Sequence, residues 1–172
     1  MHKVIFRSIL TIAIAVTCAA VFPIITPAQD GSLNRQLAGV WSLASVETLS
    51  KDGKPLPYLE GKNINGLLIF TGTRYSLQII AEFPKLASND RLKTTADEDK
   101  TVAHGVLSNW GTYTVNEAEK TLTLTNERSS FPNQNGAVGQ RIISLLTQSD
   151  LKFSVPTTRT GNTQNLSWRR VE

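Results

Sequence analysis

The sequence predicts one all-β domain of antiparallel strands with a single short helix, and three observations carry that prediction. From Val40 onward the apolar residues come in short runs that alternate with polar ones, not in long 3.6-residue stripes. Turn chemistry separates these runs, and one capping box interrupts them. The chain has 172 residues, 40% of them hydrophobic and 7% aromatic, with a formal charge of +4. That balance suits one modest globular domain and excludes a disordered chain or a multi-span membrane protein.

Residues 1–28 read as a secretory leader and residues 29–172 as the domain. His2, Lys3 and Arg7 give a positive start, Ile9 to Val16 an apolar stretch, and small residues follow at Cys18, Ala19, Ala20, Thr26 and Ala28. This is the order of a signal peptide, with cleavage after Ala28 as the first choice and after Ala20 as the second. Two alternatives stand beside it. The uncharged run from Ser8 to Gln29 is long enough to be retained as a membrane anchor, although Pro23 and Pro27 are poor helix interior. Lipidation of Cys18 is the other, against which stands Thr17, bulkier than the residue such sites place before the cysteine. A periplasmic or secreted protein is therefore expected.

Without the leader, sixteen basic residues face fourteen acidic ones. A balance this weak lacks the dense basic stripe that phosphate tracking needs, so no nucleic-acid partner is expected, and no membrane contact once the leader is gone. Cys18 is the only cysteine. Its removal leaves no disulfide, no thiolate nucleophile and no cysteine-based metal site.

Eight strands follow in order. The first runs from Val40 to Thr48 and ends before Lys51-Asp52-Gly53-Lys54-Pro55, a loop punctuated by Asp-Gly and Pro. Leu67 to Phe70 and Tyr75 to Ala81 flank the short connection Thr71-Gly72-Thr73-Arg74 and read as a hairpin. Thr95 followed by Glu98, with acids at Asp97, Glu98 and Asp99, opens the one helix, predicted over Ala96 to Ser108 with Val102, Val106 and Leu107 as its apolar stripe. Trp110 to Val115 and Thr121 to Thr125 form the next hairpin, Ile142 to Thr147 and Lys152 to Val155 another. Leu166 to Val171 closes the chain. Within the strands Tyr75, Leu77 and Ile79 oppose Ser76 and Gln78, and Leu151, Phe153 and Val155 oppose Lys152 and Ser154. One wet and one buried face fit both an up-and-down barrel and a two-sheet sandwich, and periodicity does not separate them.

Resemblance separates them. Gly39-Val40-Trp41 at the start of the first strand resembles the Gly-x-Trp opening of lipocalin and calycin barrels. Gly66-Leu67-Leu68-Ile69-Phe70-Thr71, Ala87-Ser88-Asn89-Asp90-Arg91-Leu92, Gly111-Thr112-Tyr113, Ser129-Ser130-Phe131-Pro132-Asn133 and Leu166-Ser167-Trp168-Arg169-Arg170-Val171 follow in the order of the bacterial lipocalin-like domain family. The resemblance covers about Leu37 to Val171. It implies an eight-stranded antiparallel up-and-down barrel with the helix inserted between strands 3 and 4, and it implies structural roles for Gly39 and Trp41, the indole packing across the base beneath an arginine near the chain end. Arg170 and Arg169 are the candidates, Arg170 being favoured because it shares strand parity with Leu166 and Trp168.

The chemical inventory is thin. His104 is the only histidine beyond the leader, and no G-x-S-x-G turn is present. No catalytic residue, cofactor or metal is therefore assigned. Tyr75 and Tyr113 lie mid-strand on apolar faces and are candidate ligand contacts. Glu127 and Arg141, on neighbouring strands, are candidates for a polar head group, Glu127 only if a bulge turns it inward. The expected function is an exported barrel that binds a small, mostly apolar molecule. The alternatives are an isomerase, cyclase or hydrolase using Tyr, Glu and Arg in the same cavity, and an interaction protein with a solid interior. A cavity separates the first two from the third.

Overall fold

The computed structural model describes residues 32–171, so the leader at 1–28 and its cleavage site lie outside the described residues. Eight long antiparallel strands close into a barrel: β1 (Gly39–Leu49), β3 (Lys62–Thr71), β4 (Arg74–Glu82), β5 (Val106–Asn116), β6 (Thr121–Ser129), β7 (Val138–Leu146), β8 (Asp150–Val155) and β9 (Thr163–Arg170). Each pairs with its neighbour, and β9 returns to pair with β1 from Trp41 opposite Arg170 to Leu49 opposite Thr163. Closure leaves no long free edge. Four short elements were not expected from the sequence: a one-turn helix α1 (Leu33–Leu37) before β1, a two-residue strand β2 (Pro55–Leu56) against the end of β1, and single 3-10 turns at Arg91–Lys93 and Pro132–Gln134.

Strand β1 pairs with β3 only over Gly39–Ser42 and Leu67–Phe70. Beyond Ser42 the two diverge, and β2 takes the pairing at Thr48 and Leu49. The seam thus opens toward one end of the barrel, where residues 50–61 bring Tyr58 and Leu59 against the core. That end is the mouth. The other end is a plug.

At the plug, Gly39 has φ 131°, a conformation that favours glycine, and takes the chain from α1 into β1. Trp41 and Leu37 are fully buried, and the Trp41 indole donates its N–H to the Leu37 carbonyl at 2.9 Å. Directly across from Trp41 on β9, the Arg170 guanidinium lies 4.0 Å over the indole ring centroid. Its nitrogens donate to the carbonyls of Ala38 (2.7 Å), Gln148 (2.6 Å) and Gln36. Above this plug the inward residues of every strand form one core, including Phe70, Ile79, Leu122, Leu151 and Trp168.

Helix α2 (Ala96–Gly105) lies between β4 and β5 and opens on the expected capping box. Thr95 Oγ1 accepts from the Glu98 N–H at 3.3 Å, and the Glu98 carboxylate accepts from the N–H groups of Thr95 and Ala87, both at 2.8 Å. These backbone bonds hold the Glu98 carboxyl below its ordinary pKa. The helix stops at Gly105, short of the predicted Ser108, because Val106 and Leu107 pair with Ile80 and Ile79 as the first residues of β5. Sheet pairing wins over the helical stripe there. Gly105 is also the point of closest approach: a Cβ on it would lie 2.4 Å from the Phe83 ring and 2.8 Å from the Glu60 carbonyl oxygen.

Trp41→Ala should lower stability in chemical denaturation by about 3–5 kcal/mol, the range for an emptied aromatic site in a core. A loss below about 1 kcal/mol would mean that the plug does not depend on the indole.

Candidate functional site

The mouth half of the barrel is hollow. A cavity of about 320 Å³ lies there, walled by Leu68, Leu77, Leu124, Phe153, Val155 and Leu166 and overhung by Tyr58, Leu59 and the loop around Arg159. This volume is at the lower end of the range of small-molecule sites, about 300–1,000 Å³. Polar groups stand among these apolar walls, with Gln134, Thr157, Thr158, Arg159 and Thr160 grouped in the loops at the mouth. Asn109 and Asn126 enter from β5 and β6, Arg141 from β7 and Gln164 from β9.

Asn126 follows Leu122 and Leu124 on the inward face of β6, and a bulge comes directly after it. Asn109 stands opposite Ser129 and Trp110 opposite Arg128, but Gly111 stands opposite Asn126, so Glu127 is the extra residue. Gly111 makes this possible, since a Cβ there would sit 1.9 Å from the Thr125 carbonyl oxygen and 2.9 Å from the Glu127 nitrogen. The bulge does not turn Glu127 inward. Its carboxylate meets the Arg74 guanidinium at 2.6 Å on the outer wall, with both side chains about half exposed. Expecting Glu127 as a head-group contact beside Arg141 is therefore corrected: Asn126 enters the cavity in step with Leu122 and Leu124, and Glu127 stays outside.

Arg141 points inward. Its strand neighbour across the ladder is the buried Leu122, and Ile143 below it is buried. One guanidinium nitrogen, Nη1, donates to the Gln140 carbonyl at 3.0 Å. Among the described residues no carboxylate pairs with it. Burial pushes its pKa down, against the pull of the Tyr58 and Tyr75 hydroxyls. An arginine in a protein nevertheless stays protonated. The cavity thus holds a partly desolvated cation with no anion of its own.

Tyr75 and Tyr113 lie below the cavity and are not among its walls. Tyr75 is 3% exposed and donates its hydroxyl to the side-chain carbonyl oxygen of Asn126, so it reaches the cavity only through that amide. Burial lifts its pKa to about 12, partly offset by the charge of Arg141. Tyr113 packs edge-on against Phe70 with ring centroids 4.9 Å apart, and its buried hydroxyl has no partner among the described residues. Both rings are core. Tyr58, on the loop between β2 and β3, is the tyrosine that does line the cavity, and burial raises its pKa to about 12 as well. It remains a neutral donor.

His104 takes no part in the cavity. Its Nδ1 lies 2.9 Å from the Glu60 carboxylate on the outside of α2, tying the helix to the mouth loop.

Among the wall residues that sequence reasoning missed are Tyr58, Asn109 and Asn126. Tyr58 lies in a loop outside any alternating run, and Asn126 continues the parity of Leu122 and Leu124 but, as a polar residue beyond the last apolar one, gives no apolar signal. Asn109 adjoins an alternating run, but a polar residue on an inward face carries no periodic signal of its own.

The model of the lipocalin-like domain family matches residues 38–171. The chain belongs to this family. Among solved structures the lipocalin-like barrel is similar to a lipocalin-like protein from Bacteroides uniformis, with 12% identity, a TM-score of 0.43, and coverage of 78% of this chain and 98% of that one. It is also similar to a de novo designed fluorescence-activating β-barrel (13% identity, TM-score 0.43, 81% and 98% covered). A third is the redesigned barrel mFAP1 bound to DFHBI (16% identity, TM-score 0.41, 81% and 100% covered). No curated protein matches the chain.

Gly111→Ala should destabilise the lipocalin-like barrel by about 3 kcal/mol, because its methyl meets backbone atoms that cannot move without breaking the β5–β6 ladder. Denaturant melts measure the loss. A change within about 0.5 kcal/mol would show that the bulge accommodates a side chain.

Proposed function

We propose that the chain is an exported binding protein for a small, mostly apolar molecule with an anionic terminus, the apolar body lying in the barrel cavity and the terminus on Arg141. The observation that carries this reading is the cation itself. A guanidinium taken partly out of water without a carboxylate costs stability, and an incoming anion removes that cost while forming charge-assisted hydrogen bonds. Tyr58 offers a neutral hydroxyl beside it. Leucine, valine and phenylalanine walls suit the body of such a ligand.

Two features favour binding over catalysis and over a solid interaction module. Among the described residues no Asp, Glu or His lines the cavity, so a general acid or base of the usual kind is missing from it. A hollow of about 320 Å³ is in turn more room than a filled barrel leaves. Export rests on the leader alone. N-terminal sequencing of periplasmic or secreted material should read from Gln29, and an intact Met1 in a membrane fraction would support the retained anchor instead.

Displacement of a fluorescent fatty acid tests the ligand class. The carboxylate form should bind more tightly than its methyl ester, and Arg141→Met should weaken the carboxylate by about 10–100-fold, equivalent to about 1.5–3 kcal/mol for hydrogen bonds to a charged group. The same substitution should leave the ester nearly unchanged. Equal binding of acid and ester by the wild type would overturn the anionic terminus.

A further inference from the structure

We propose that Gly139 positions the Arg141 guanidinium and thereby sets the barrel's preference for anionic over neutral ligands, an inference that rests on the reading of Arg141 given above. Gly139 lies two residues before Arg141 on β7, on the same inward face, opposite Leu124 of β6, and it lines the same cavity. A Cβ built on Gly139 would lie 2.9 Å from Arg141 Nη1, 3.8 Å from Cζ and 3.9 Å from Nη2. All three nearest atoms belong to one guanidinium. The group therefore folds back along its own strand and rests over the Gly139 backbone, in the place where any other residue would carry its side chain.

Backbone conformation does not account for this glycine. Gly53, Gly72 and Gly136 have positive φ and open space around them, as turn glycines do, whereas Gly139 is not among the positive-φ residues and lies within a strand. Glycine weakens a strand interior and often marks a close approach by another group. Here the approaching group is the cation. With Nη1 held by the Gln140 carbonyl at 3.0 Å, Nε and Nη2 have no acceptor among the described residues and are the donors left for a ligand. Resting the guanidinium on Gly139 keeps it against the wall, which leaves the apolar volume free for the body of the ligand.

A methyl group at Gly139 overlaps only the mobile end of Arg141 and no backbone, so Gly139→Ala should fold while displacing the guanidinium. Two measurements test this. In the ligand-free protein, the Arg141 Nε–Hε NMR resonance should shift in Gly139→Ala. In displacement assays with the fluorescent fatty acid and its methyl ester, the acid-over-ester ratio should fall about tenfold, equivalent to about 1.4 kcal/mol, with ester binding retained. Adding Gly139→Ala to Arg141→Met should change that ratio no further, because the group that the glycine positions is already gone. An unmoved resonance, a retained ratio, or an equal loss for acid and ester would overturn the proposal; the last outcome would make Gly139 a matter of cavity space alone. A wild type with no preference for the acid would instead overturn the anionic ligand, and the resonance would still report whether Gly139 seats the arginine.

Discussion

The structure depends first on one arginine that is fully used. Arg170 lies over the Trp41 ring and donates to carbonyls of the segment before β1 and of the connection before β8, so a single guanidinium joins three parts of the chain at the closed end. Its position follows from strand register. Trp41 and Arg170 are direct cross-strand partners, so closing β1 against β9 and stacking cation on indole are one event. A barrel has no sheet-on-sheet layer to fall back on. If its first and last strands part, two edges appear together and the interior is exposed from the side.

Arg141 contrasts with that residue in how fully its donors are used. Both are barrel arginines near aromatic side chains, but Arg170 makes hydrogen bonds to three main-chain carbonyls, whereas Arg141 makes one, to its neighbour Gln140. The closed end therefore uses its cation for stability, and the mouth holds one in reserve. Such an arrangement is costly to the protein, because desolvating a cation is unfavourable and only the Gln140 carbonyl and the Tyr58 and Tyr75 hydroxyls offset it. In the proposed function a ligand supplies the missing charge.

Much of the barrel was legible in the sequence because alternation repeats along each strand and tolerates local error. Tyr75, Leu77 and Ile79 face inward as their period-two pattern requires, and the capping box at Thr95 and Glu98 starts α2 where the hydroxyl and acid are placed. The barrel itself, as against a sandwich, came from resemblance at Gly39 and Trp41. Legibility failed where two signals compete or where parity slips. Val106 and Leu107 fit both a helical stripe and a strand, and only the pairing with Ile80 and Ile79, distant in the chain, decides for the strand. Strands β6 and β7 run past their apolar runs toward the mouth, and those extensions, with Asn126 in β6 and Gly139 in β7, help build the site.

The bulge at Glu127 shows why site residues resist such reading. Counting alternate residues from Leu122 and Leu124 puts Asn126 inward and Glu127 outward, and the extra residue in β6 then resets the parity for Arg128 and Ser129. A carboxylate and a guanidinium on adjacent strands look from sequence like a pair, yet the acid is held outside by Arg74, a residue 53 positions earlier in the chain. Had Glu127 entered the cavity, it would have neutralised Arg141 and filled the place of a ligand anion. The glycine at position 111 admits the bulge and the glycine at position 139 admits the guanidinium. The glycine at position 139 thus leaves room for the positive centre, while strand parity and the Arg74 ion pair keep the acid outside, and the proposed anionic ligand rests on that separation.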